Sequence, residues 1–108
     1  MIRGTTPFYT LALSGVDLTG KTVYVTISQH GRKLTKTGGD LSVAADAEGS
    51  TIAFALTQEE TLDLEVGSVE VQVRFIDAAG IARATEICSV AVGRVLKEGV
   101  IEYADDPA

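Results

Sequence analysis

Apolar residues recur at every second position through much of this chain, and that period is its clearest structural signal. In "SVEVQVRFID", Val69, Val71, Val73 and Phe75 alternate with Glu70, Gln72 and Arg74. Side chains of a strand point alternately to its two faces, so the pattern fits a strand with one buried and one wet face, as in antiparallel sheets. "TVYVTISQ" repeats it, with Val23, Val25 and Ile27 inward and Thr22, Tyr24, Thr26 and Ser28 outward, and "STIAFALT" does so through Ile52, Phe54 and Leu56. Further strands are predicted at "FYTLALS" with Tyr9, Leu11 and Leu13 on one face, at "RKLTKT" around Leu34, at "LSVA" around Leu41 and Val43, and along "IARATEICSVAVG". In the last run Ile81 and Val90 have opposite parity, so an unbroken strand cannot turn both inward. A bulge or bend near Thr85 to Ile87 is predicted there.

The connections carry turn chemistry. "QHGR" places Gly31 second in a hairpin loop, where positive φ is needed, and "DAAGI" around Gly80 reads as another hairpin with Asp77 bonding nearby amides. "TGGD" and "DAEGS" punctuate the middle of the chain. "TQEETLDL" breaks the β pattern: Thr57 and Glu60 have capping-box spacing, and Glu59 and Glu60 suit the positive end of a helix dipole. One turn of helix is predicted, with Leu62 and Leu64 closing the bottom of the core. The resulting class is all-β: an antiparallel, immunoglobulin-like β-sandwich of about seven strands with one short helical turn, a small Greek-key barrel being the alternative.

A chain of 108 residues is read as one domain, able to bury roughly 65% of the surface its unfolded form exposes. With 45% apolar and 22% charged residues it has ordinary globular usage. No apolar run approaches the ~20 residues that span a bilayer, and "MIRGTTPFYT" has no continuous apolar signal region, so no membrane partner is expected and the chain is expected to stay in the cytosol or leave by a route that needs no signal. The net charge of −6 and the scattered bases argue against nucleic acid. Arg32, Lys33 and Lys36 are expected to be a solvated strand face.

No catalytic constellation can be assembled. His30 is the single histidine and occupies a turn, where an exposed polar residue is ordinary. Cys88 lies in "EICSVAV", an apolar strand setting that suits a buried spacer better than a nucleophile. Neither CxxC nor HExxH occurs, and Asp40, Asp46 and Glu48 lack calcium-loop spacing. No GxGxxG or GxxxxGK[ST] pattern is present. No enzyme activity, cofactor or metal is expected. A carbohydrate or host-surface binding module, the alternative function, needs an aromatic platform, whereas the chain has no Trp and most of its three Tyr and three Phe fall at core-like strand positions.

The opening "MIRGTTP", the hairpin "SQHGRK", the turn "LTQEET" and the ending "VGRVLKEGVI" resemble a group of small proteins encoded among virion structural genes in prophages of gut Gram-positive bacteria. The resemblance spans nearly the whole chain, but its motifs are turns, a cap and strand ends. In that group the hairpin carries Asn-Gly where this chain has His30-Gly31, which further argues against a histidine function. The resemblance implies a virion or tail-associated structural role, with other virion proteins and copies of the chain itself as partners and the phage particle as final location.

Residues 1–93 are thus read as the sandwich and residues 94–108 as a tail. The tail carries Val95, Leu96, Val100, Ile101 and Tyr103 beyond the last strand, with Lys97, Glu98 and Gly99 as a turn and "DDPA" as a solvated end. It either folds back as an edge strand near "MIRGT", hiding Ile2 with Val100, or stays available for β-augmentation, and these five apolar residues are the candidate interaction residues. An intersubunit role is the favoured reading.

Overall fold

A computed structural model describes residues 1–103. Eight strands form two antiparallel sheets: β1 (Phe8–Ser14), β2 (Thr22–Gln29), β3 (Arg32–Thr37), β4 (Ser42–Asp46), β5 (Gly49–Ala55), β6 (Gly67–Ile76), β7 (Ala82–Ala84) and β8 (Cys88–Val92). The smaller sheet has the order β1-β5-β4; the larger runs β3-β2-β6, with β7 and β8 both paired to the far side of β6. The chain crosses between sheets from β1 to β2, from β3 to β4 through a 3-10 turn at Gly38–Asp40, and from β5 to β6 through helix α1 (Gln58–Leu62). In immunoglobulin lettering these are B-E-D facing C′-C-F-G, a sandwich rather than a closed barrel.

The period of two does what it predicts. Val23, Val25 and Ile27 of β2, Ile52 and Phe54 of β5, and Val69, Val71, Val73 and Phe75 of β6 are all buried, with Leu18, Leu56, Leu64 and Val92 completing the core. The bulge also forms. Between the pairs Arg74↔Ala84 and Val71↔Cys88, two β6 residues, Gln72 and Val73, face three, Thr85, Glu86 and Ile87, so inward parity changes from odd to even. Thr85 pins it: its amide donates to Val73 O (2.8 Å), its hydroxyl accepts from Val73 N (3.1 Å), and Gln72 donates to its carbonyl (2.9 Å). Counting β7 and β8 as two halves of one bulged strand gives the predicted seven.

The His30-Gly31 loop joins β2 to β3 with both residues at positive φ, 50° and 80°, as a type I′ hairpin requires. Asp77 caps the β6–β7 turn, its Oδ1 accepting from Ala79 N and Ile81 N.

Helix α1 carries the full capping box. Glu60 N donates to Thr57 Oγ1 (3.1 Å) while Thr57 N donates to Glu60 Oε1 (2.8 Å), so two otherwise orphaned amides are satisfied reciprocally. Thr57→Ala is expected to cost about 1 kcal/mol and Thr57→Asp to be nearly neutral. Urea denaturation checks this, and identical midpoints for Thr57→Ala and the parent would remove the cap from the account.

Lys36 departs from the solvated face expected of it. It pairs with Val25 and so shares the inward face of the larger sheet, where its ammonium bonds the Glu60 carboxylate at 2.8 Å with 12% of its side chain exposed. Arg32 likewise donates to Asp63 O. These contacts bind α1 and the turn after it to β3. Burial works against ionised Glu60, but bonds from Lys36 and Thr57 outweigh it and hold its pKa below the ordinary 4.5. That stabilisation is complete above the unfolded-state pKa and is lost as pH falls through the lower folded-state value. Glu60→Gln is therefore expected to destabilise at about pH 7 and to lose part of that deficit at about pH 3, below the unfolded-state pKa. An equal deficit in urea midpoint at both pH values would show that the carboxylate's charge is irrelevant.

Candidate interaction surface

One end of the sandwich is built by three segments distant in sequence: residues 1–5, α1, and the segment after β8. The N-terminal segment runs parallel to the end of β8. The Met1 ammonium donates to Ala91 O (2.8 Å), Gly93 N to Met1 O (2.7 Å) and Arg3 N to Gly93 O (3.1 Å), around an isolated Ile2↔Gly93 bridge. Arg3 then binds the end of α1, with Nε on Leu64 O (2.7 Å) and Nη2 on Leu62 O (2.9 Å), and reaches the tail with Nη1 on Glu98 Oε1 (2.6 Å). A cation over the final carbonyls of a helix satisfies orphan acceptors and suits the local dipole. Thr61, fully buried, donates to Thr5 O (2.9 Å) and closes the ring.

The tail leaves Gly93, bends at Leu96–Lys97 and turns again at Gly99, which has φ 88°. It comes back to α1 without making a strand. Gln58 holds Ile101 at two points, Nε2 donating to Ile101 O (2.9 Å) and Ile101 N donating to Gln58 Oε1 (2.8 Å). A side-chain amide thus imitates one ladder pair, and the tail's backbone is fastened at Ile101 while its apolar side chains beyond Val95 stay exposed. Val95 is half-buried, lying near Gly4. Leu96 is 88% exposed, Tyr103 93%, Ile101 55% and Val100 46%, and Ile2 at 51% is not hidden with Val100. Residues 105–108, read as a solvated end, lie outside the described residues.

Elsewhere the chemistry is sparse. His30 sits at a hairpin tip with Nε2 3.5 Å from Glu65 Oε2, both side chains more than 70% exposed. Cys88 is exposed, not a buried spacer. It does take an inward register opposite Val71, but β8 lies at the edge of its sheet and the seam between it and β1 is not closed over. Among the described residues no group of three or more His, Cys, Asp and Glu side chains is placed to hold a metal ion, and no helix is long and apolar enough to cross a membrane. A concavity of about 350 Å³ is an open groove on the outer face of the larger sheet between Tyr24, Thr35, Arg74 and Ile76. The exposed aromatics do not make a platform: Phe8 and Tyr24 belong to opposite sheets and Tyr103 to the tail.

Three buried polar residues fix crossovers of the chain: Gln29 and Thr61 beside this end, Ser50 at the opposite one. Gln29 donates to Glu65 O (2.8 Å) and accepts from Glu65 N (2.7 Å), fixing the entry to β6. Ser50 donates to Val16 O (2.7 Å) and accepts from Leu18 N (2.9 Å), fixing the β1–β2 crossover. Thr61 is the third. No protein-family model matches this chain, and no curated protein sequence matches it.

Proposed function

We propose that this chain is a non-enzymatic structural or assembly protein of a phage or prophage particle, acting through contacts with other virion proteins and with copies of itself. The observation that carries the reading is the inversion of the tail. Its backbone is fastened to its own domain at Ile101 by Gln58 and its Glu98 carboxylate by Arg3, while Leu96, Val100, Ile101 and Tyr103 project into solvent. A segment serving only its own core would bury those side chains and leave the polar contacts outside. Held in place beforehand, the tail loses little further freedom on meeting a partner, which favours binding. The virion setting rests on the resemblance of "MIRGTTP", "SQHGRK", "LTQEET" and "VGRVLKEGVI" to prophage structural-gene products.

Deleting residues 94–108 is expected to leave a folded sandwich, because the last strand ends at Val92. The loss should be about 2 kcal/mol, from the Gln58–Ile101 hydrogen bonds, an exposed ion pair and part of Val95's burial. Circular dichroism and urea denaturation would check it, and a truncated chain that is unfolded would return the tail to the core. The functional test is made on particles purified after prophage induction. Mass spectrometry should find the chain in them, and Leu96→Asp/Tyr103→Asp should reduce its incorporation while the purified variant still folds. Particles devoid of the chain would sink the reading.

A further inference from the structure

We infer that β1 is a self-pairing edge: the position beside it that strand A fills in an immunoglobulin sandwich is taken by β1 of a second copy, antiparallel and centred on Leu11. The ladder with β5 settles which groups are free. Leu56 N donates to Pro7 O (3.1 Å) and Gly15 N to Glu48 O (2.8 Å), in the same register as the pairs Tyr9↔Phe54, Leu11↔Ile52 and Leu13↔Ser50. Odd-numbered residues therefore bond to β5, and the N–H and C=O of Phe8, Thr10, Ala12 and Ser14 point away from it. Among the described residues no strand pairs along that side, and residues 1–3 run to β8 instead.

The edge lacks the usual protection. Natural edge strands carry charges, Pro or bulges that stop another strand from adding. "FYTLALS" has none of these over its full length. The other edges differ: β3 carries Arg32, Lys33 and Lys36, β7–β8 is broken by its bulge and partly covered by residues 1–3, and β4 is short and ends in Asp46.

A second copy is the occupant that fits. In a two-fold interface residues near the axis meet themselves or close neighbours, so any charge there faces its own sign. At a net charge of −6 the chain repels its copies over most of its surface, and β1 is an uncharged stretch where they can meet. Centring on Leu11 opposes Phe8 to Ser14 and Thr10 to Ala12 of the other copy, so outward donors meet outward acceptors along both strands. The same register opposes Leu11 to Leu11 and Tyr9 to Leu13 on the inward face. That row is only half-buried, beside an apolar seam lined by Met1, Tyr9, Leu11, Cys88 and Val90. Pairing turns two small sheets into one of six strands and continues the row across the axis.

This inference deepens the assembly reading and rests on it for its purpose, but its test uses purified protein and no particle. Sedimentation velocity over rising submillimolar concentration should show a weak monomer–dimer equilibrium, since a single strand edge buries less than a standard interface. Thr10 and Ala12 are exposed on the outer face, opposite one another across the axis, so Thr10→Lys/Ala12→Lys sets like charges together and Thr10→Lys/Ala12→Glu sets opposite ones. The first is expected to weaken dimerisation about tenfold or more relative to the second. Ala12→Pro removes an N–H that β5 does not use and should abolish dimerisation while the chain still folds. A parent that remains monomeric, a dimer indifferent to these variants, or equal loss in both charge variants overturns the assignment; a chain that dimerises this way yet is missing from particles would sink the virion reading alone.

Discussion

Phe75→Ala is expected to cost on the order of 3–5 kcal/mol, a large share of the 5–15 kcal/mol that holds a domain of this size together. Phe75 is buried, stands opposite Val23 on β2 and Arg83 on β7, and belongs to the continuous inward row of β6. Truncating it removes apolar area from the core and leaves a cavity, because β6 is paired on both sides at Phe75 and cannot shift to close it. Lys21 places its ammonium 5.5 Å from the ring centroid, a cation–π contact near the surface worth no more than about 1 kcal/mol. Lys21→Gln should therefore lose only a fraction of what Phe75→Ala loses. Urea denaturation of both variants separates the terms, and an unchanged midpoint for Phe75→Ala would place the ring outside the core.

Much of this fold was legible because its signals are local. Val69 to Phe75 and Val23 to Ile27 announce their buried face by alternation alone, and the parity conflict between Ile81 and Val90 calls for a bulge or bend between them, which the structure resolves as a bulge. Thr57 and Glu60 bond each other within one turn, so four positions of sequence hold the whole capping box. What escaped depends on partners far along the chain. Lys36 looks like any solvated lysine until α1, which carries Glu60, is placed under β3. Gln29 and Ser50 continue the inward parities of β2 and β5 and Thr61 lies in α1, but nothing near them in sequence names their partners, because their hydrogen bonds reach residues 32 to 56 positions away. Cys88 was misread for the converse reason: its neighbours are apolar, but whether an inward residue is covered depends on what stands across the seam.

The candidate surface was legible in part. The apolar residues of the tail stand out because they follow the last strand, and that is a fact of sequence. How the tail is held is not. Gln58, one residue into α1, gives no sign that it will grip Ile101, 43 positions on, nor Arg3 that it will tie Leu62, Leu64 and Glu98 together. The exposed edge of β1 is hidden from sequence altogether, because an uncharged strand looks the same whether one or two neighbours flank it.

Gly49→Ala should be as damaging as the loss of a core aromatic, for a reason that composition conceals among 11 glycines. Gly49 opens β5 with φ 151°, a backbone region that side chains rarely occupy, and it stands opposite both Asp46 of β4 and Ser14 of β1. A Cβ there would overlap Leu13 O and lie 2.9 Å from Gly15 N and 3.0 Å from Ser14 Cα. All three are main-chain atoms held in the β1–β5 ladder, so no rotamer relieves the clash and the strands must part. Backbone strain of about 1–3 kcal/mol adds to overpacking of about 1–3 kcal/mol. Gly67 is the control that separates the two: it has φ 138° but open space where its Cβ would go. Gly67→Ala is therefore expected to show the strain alone, and Gly49→Ala to lose about 2 kcal/mol more in urea denaturation. Equal losses would mean that β1 does not closely approach the β4–β5 hairpin at Gly49, and a weakened β1–β5 contact in Gly49→Ala should also appear as faster amide exchange at Tyr9, Leu11 and Leu13, the three residues whose amides bond to β5.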